Sequence, residues 1–406
     1  MSTLMKFPPG VFSLERHETF AIERFSYNLA RAAGQILFKF EPRVALEITF
    51  SEERHFDVWV SMLQSSDNNE VRYQINASAI SPQIILGLCH FISSTISPYQ
   101  STKVDEFQES VTRFISVFAG IGADKNSSLN DRLRSSSKQL GGLLSLVPNT
   151  VNAFDLVAQF IVNHEVAHAA TGQFLNGAFG WEHEDKALEI VADLAATDWL
   201  FTRMIRLTPD SDEYRKMRGT SSHSESILQN AYSVLHSQIL VVILFAVLPS
   251  LMGNARPGLS GGPSHPHGLA RHMLHHIGFM TLLESNCQPD LSKDAISRLD
   301  EYWKYASNVL VHSGILNVSN MQGFLWELIS ESYLDRAADY IEQNNIKFLV
   351  KAAPFLRYFG RSHVEILERL TDGNTRKGSR KRRSLRSANL WEKSCDRIFN
   401  LNPSKG

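Results

Sequence analysis

Thirty consecutive residues, Ser226 to Ala255, carry no Asp, Glu, Lys or Arg, and within them Ile239–Leu248 is apolar at every position. A helix of that composition is apolar around its whole circumference, so protein or lipid must cover it on all sides. Length decides between the two. A bilayer span needs about 20 predominantly apolar residues, whereas Gln229, Asn230, His236 and Gln238 dilute the first half here and Pro249 interrupts the end. The expectation is a buried core helix over 227–252, with a membrane-associated segment as the alternative.

A core able to enclose such a helix requires a sizeable chain, and 406 residues at 43% hydrophobic content supply one. Residues 43–77 alternate three times with period two: Val44, Leu46, Ile48 and Phe50; then Phe56, Val58, Val60 and Met62; then Val71, Tyr73, Ile75 and Ala77. With turn-forming separators between the runs, this predicts a three-stranded antiparallel meander with one buried face. Helical spacing follows near 83–97, 104–120, 153–171, 184–205, 227–252, 291–313, 320–343 and 362–370. The fold class is therefore α+β, mainly helical with a small N-terminal antiparallel sheet. Four regions are expected: a sheet-plus-helix region (1–150), a central core (151–280), a C-terminal helical region (281–370) and a basic tail (371–406). The Ser- and charge-rich stretch 122–140 reads as an exposed loop or flap. The tail holds Arg376, Lys377, Arg380, Lys381, Arg382, Arg383 and Arg386 without apolar periodicity, a disordered segment able to make weak contact with nucleic acid or acidic lipid. Over the whole chain 41 basic and 42 acidic side chains nearly cancel, so the molecule as a whole offers no long-range field to recruit a polyanion. The widely spaced Cys89, Cys287 and Cys395 exclude a disulfide framework, and the start of the chain lacks the apolar core of a secretory signal. A cytoplasmic location is expected, with membrane association through 227–252 as the alternative.

The chemistry is carried by "NHEVAHAATG", residues 163–172. Asn152 and Asp155 resemble a capping box at the start of its helix, and Gly172 closes the end. Four residues advance an α-helix by about 400°, so His164 and His168 share one face and can reach a single ion. Glu165 lies beside them, placed to take a proton from metal-bound water without ligating. The metzincin third ligand is excluded, because Thr171 and Phe174 occupy the positions of its Gly and His. The second helix, "ALEIVADLAATDWL" at 187–200, offers Glu189 as the third ligand and Asp193, one turn on, to hold a ligand histidine. Two histidines and one glutamate leave a fourth position open, the coordination that catalytic zinc needs. Ala192 and Ala196 are small enough to let the two helices approach. His183 is a competing third ligand, lying between the helices among helix-start charges.

HEVAH followed by Glu-x-x-Ala-Asp resembles the gluzincin metallopeptidases, among them the prenyl-protein and heat-shock membrane metallopeptidases. "SHPHGLARH" at 264–272 is similar to the HPxxxxR element of those enzymes and of the phage-exclusion Lit-type peptidases, through His265, Pro266 and Arg271. The likeness covers roughly 150–275 and is nearest to the Lit-type group. It implies a gluzincin-like zinc peptidase acting on a protein or peptide, with catalytic parts for His265 and Arg271 near the fourth zinc position. There a cation would face the oxyanion of a tetrahedral intermediate. The bland alternative for "SHPHGLARHMLHH" is a run of histidines exposed at a helix start. For the whole chain it is a peptide-sensing or nucleic-acid-binding protein with a structural metal. An extended substrate is expected to pair with an edge of the 43–77 sheet.

Overall fold

A computed structural model of the chain describes residues 2–8, 14–40, 44–53, 55–63, 71–96, 103–123, 126–141, 148–173, 182–206, 221–251, 271–272, 274–276, 278–279, 282–283, 293–316, 333–347, 349–350, 353–354 and 356–357. His265, Pro266, the helix expected at 362–370 and the basic cluster at 376–386 lie outside these residues. The protein is mostly helical with one small four-stranded sheet, which agrees with the α+β class.

The sheet consists of β1 (Ser2–Lys6), β2 (Val44–Ser51), β3 (Val58–Leu63) and β4 (Val71–Ser78), in the order β1-β2-β4-β3. Alternation selects the buried face as expected: Leu46, Ile48 and Phe50 on β2, Val60 on β3, and Tyr73, Ile75 and Ala77 on β4 are all buried. The pairing corrects the expected meander. β2 runs parallel to β1 and to β4, and only β3 with β4 is antiparallel, so the sheet is mixed. The chain leaving β2 passes across the end of β4 to reach the far edge. Hydrogen bonds pin that crossing: Ala79 N to Ser51 O at 2.9 Å, Ser78 N to Asp57 O at 2.8 Å, Ser78 Oγ to His55 O at 2.7 Å, and Asp57 N to Ser81 Oγ at 2.9 Å. Period two specifies which face of a strand is buried; it is silent on which strand becomes the neighbour.

Helix α1 (Arg16–Phe40) lies under the sheet, where Phe25 meets Phe50 edge-on with ring centroids 6.4 Å apart. α2 (Ser81–Ile92), α3 (Val104–Ala123) and α4 (Leu129–Gln139) follow. α4 occupies most of the stretch expected to be a flap. Ser128 and Asp131 close a reciprocal capping box at its start, and Leu129, Arg132, Leu133, Ser136 and Ser137 are buried on one face. The face is narrow and half polar, so it carries little apolar signal.

α5 (Pro148–Ala170) and α6 (Glu182–Phe201) are antiparallel neighbours in sequence and pack against each other; α6 ends in a five-residue π turn, Thr202–Arg206. α5 begins at Pro148, earlier than the expected Asn152–Asp155 box. Proline is suited to a first helical turn, where its missing N–H has no partner to lose. Asp155 instead binds α1, accepting from Arg24 Nε at 2.6 Å and Asn28 Nδ2 at 3.0 Å. α7 (Ser221–Leu251) is the charge-poor helix. Its length and composition would suffice to cross a bilayer, yet 72% of its most apolar stretch is buried inside the protein, against α5, α3, α2 and α6 among other elements. By itself this is weak evidence for a membrane. α8 (Lys293–His312) and α9 (Tyr333–Gln343) complete the framework, and α9 covers α6. One hydrophobic cluster runs through all of these layers, from Ala21 to Leu356.

Candidate metal centre

The helical spacing in α5 places His164 and His168 one above the other, and both are buried. α6 crosses them closely because Ala192, Ala195 and Ala196, all with no solvent exposure, present almost no side-chain bulk to its surroundings. Glu189 is thereby brought onto the histidines. His164 Nε2 lies 3.2 Å from Glu189 Oε2, His168 Nε2 lies 3.5 Å from Glu189 Oε1, and the two Nε2 atoms are 3.3 Å apart. Donors about 2.0–2.1 Å from a tetrahedral zinc stand roughly 3.3–3.4 Å from one another. The three side chains therefore fit one small divalent cation. Among the described residues this is the group of His, Cys, Asp and Glu side chains able to hold a metal ion.

The far nitrogens of the two rings are held. His164 Nδ1 faces Asp193 Oδ1 at 2.9 Å, and His168 Nδ1 faces Gln173 Oε1 at 2.5 Å. With its Nδ1 serving as donor to Gln173, His168 aims its Nε2 lone pair at the Glu189 carboxylate, whereas His164 Nδ1 is paired with Asp193 by charge and proximity without an aligned hydrogen bond. Three electron-rich atoms gathered in a buried space repel unless a positive charge joins them. A proton partly fills that part without metal. Burial alone would lower the His164 imidazole, but Glu189 and Asp193 on either side outweigh it and raise it to about 10. His168 moves the other way, pushed down mainly by burial.

Asp193 is the hub behind the site. Arg271 donates to it twice, from Nε at 2.8 Å and Nη2 at 2.6 Å, and His275 Nε2 stands 3.2 Å away. Burial would push this carboxyl up; Arg271, His275 and His164 overcome it and hold the group well below the usual carboxylate range. The guanidinium also lies 4.4 Å over the ring of Phe245, so α7 packs against the back of the centre. Glu189 and Asp193 bring two negative charges and Arg271 one positive, leaving one negative charge that the His164 proton balances without metal and a metal cation would balance in its place.

His164, His168, Glu189 and Asp193 come together as the sequence predicts, and Arg271 joins them from a distant segment. Arg271 is committed to Asp193, with Nη2 3.9 Å from Glu189 Oε2. Glu165 is partly exposed at the rim, and its field reaches Arg271. His183 stands at the start of α6 with its side chain outside the described residues, as is the whole of His265. Of the histidines in 264–276, His272, His275 and His276 are buried rather than exposed at a helix start. Sequence reasoning missed Gln173 and His275. An i+3 spacing from His272 was the available hint for the second; nothing local marked the first. No family model, curated protein or solved structure matches this chain.

Proposed function

We propose that the chain is a zinc-dependent peptidase of the gluzincin type, hydrolysing peptide bonds in a protein or peptide substrate. The observation that carries this reading is the convergence of His164 Nε2, His168 Nε2 and a Glu189 carboxylate oxygen within 3.5 Å, with Glu165 one residue further along α5. Zinc held by these three side chains would supply Lewis acidity that brings the pKa of a bound water toward about 7. Glu165, one residue from the ligand His164, would serve as general base toward the attacking water and then as acid toward the departing amine. Asp193 fixes the His164 ring, and Arg271 keeps Asp193 ionised. The three protein donors found among the described residues favour this reading over a structural metal, which takes a closed set of four. β3 is an edge strand lying against α5, the helix that carries His164 and His168, so we propose that an extended peptide adds to it.

The test is Glu165→Gln in the zinc-loaded protein, assayed by cleavage-site mapping on a cell extract. Zinc content should stay unchanged while cleavage falls at least about 100-fold, the usual contribution of a positioned general base. A proline placed in β3 should reduce cleavage in the same assay. Wild-type-like cleavage by Glu165→Gln at full zinc occupancy would exclude the mechanism. Absence of cleavage in both proteins would favour a peptide-sensing or nucleic-acid-binding role with a structural metal.

A further inference from the structure

We propose that Gln173 is a positioning residue that locks His168 to the Glu189-bearing helix and chooses which nitrogen of His168 faces the metal. The inference rests on the metal-centre reading above and assigns a role to a residue outside it. Gln173 has no solvent exposure. It follows Gly172, whose φ of 78° turns the chain back on itself at the end of α5. Its backbone N–H donates to the carbonyl of His168 at 3.2 Å, while its side-chain oxygen meets Nδ1 of the same histidine at 2.5 Å. The amide nitrogen donates to the carbonyl of Leu188 at 3.4 Å, one residue before the ligand Glu189.

The chemistry of these three groups leaves one consistent arrangement. A backbone carbonyl can only accept, so the Gln173 NH2 must face Leu188 and its oxygen must face His168. An oxygen that can only accept requires a proton on His168 Nδ1. The lone pair of that ring is then on Nε2, aimed at the Glu189 carboxylate. A single carbonyl on α6 thus sets the amide, the amide sets the tautomer, and the tautomer sets the ligand atom. His164 is oriented by an ionised carboxylate, whereas His168 has a neutral amide that also bridges the two ligand-bearing helices.

The experiment titrates full-length protein with zinc against a chromophoric chelator and reads the His168 tautomer by long-range 15N–1H NMR. Wild type should show Nδ1 protonated in the metal-free protein, a readout that needs no metal and no variant. Gln173→Leu should bind zinc about 10–100-fold more weakly, the usual effect of removing a partner behind a metal-ligating histidine. Gln173→Glu, which keeps an acceptor oxygen at the ring but loses the donor to Leu188, should recover part of that loss. A wild-type His168 protonated on Nε2 instead, a Gln173→Leu affinity within twofold of wild type, or a Gln173→Glu as weak as Gln173→Leu would each overturn the proposal. His164→Ala serves as the separate control: if it leaves zinc affinity unchanged, the metal-centre reading fails, whatever Gln173 does.

Discussion

Asp193 illustrates how a single buried charge can be held by its surroundings. It is 1% exposed, yet a guanidinium and two imidazoles lie within 3.2 Å of its oxygens. Removing one member of a buried pair leaves the other charge unsolvated, at a cost of about 3–5 kcal/mol. Asp193→Ala should therefore destabilise the protein by about that amount in denaturant unfolding. The double variant with Arg271→Ala should be less destabilised than the sum of the singles, because no charge is then stranded. Additive losses would mean that the two side chains are not coupled. At this scale the ligands were legible, because i and i+4 on a helix is a geometric statement that survives any tertiary context. Gln173 was not, since its role depends on a turn and on a carbonyl from another helix.

At the scale of the element, α4 shows where composition misleads. Its polar run reads as a flap, yet Ser128 and Asp131 satisfy each other's backbone donors and a narrow face is buried. An N-cap serine contributes about 1 kcal/mol, roughly a fivefold change in a local opening equilibrium. Ser128→Ala should speed hydrogen exchange in the first turns of α4 by about fivefold, whereas an unstructured flap would exchange at the same fast rate in both proteins. The strands fail differently. Their buried faces follow from alternation, but the parallel pairing of β2 with β4 depends on the crossing between β2 and β3, which Ser78 at the end of β4 and Ser81 beyond it hold at His55 and Asp57. α7 needed no such help: a helix apolar on all sides has to be covered, and the protein covers most of it.

The stability of the whole molecule should carry the signature of its buried histidines. His272 is 1% exposed, bonded through Nε2 to Ser307 Oγ at 2.8 Å and stacked on Trp303 with ring centroids 5.1 Å apart. Burial first, then His276 and His275, push its imidazole down to about 3. The unfolded chain binds this proton near pH 6.5 and the folded one does not, so stability is complete above about 6.5 and falls as pH drops toward about 3. This one group should remove about 2 kcal/mol by pH 5, and about 5 kcal/mol in full, measured by urea unfolding across that range. His272→Gln should flatten the dependence; an unchanged slope would show that His272 takes up its proton in the folded state. What the sequence by itself determined is everything periodic: the charge-poor helix, the strand faces, the shared face of His164 and His168, and the Glu189–Asp193 repeat, because local geometry repeats wherever the backbone does. The tertiary structure alone decided strand order, the start of α5, the partners of Asp155, the meeting of Asp193 with Arg271 and His275, and that of Gln173 with Leu188. Those depend on which surfaces pack together once the chain is compact, and no spacing along the chain encodes a distance across it.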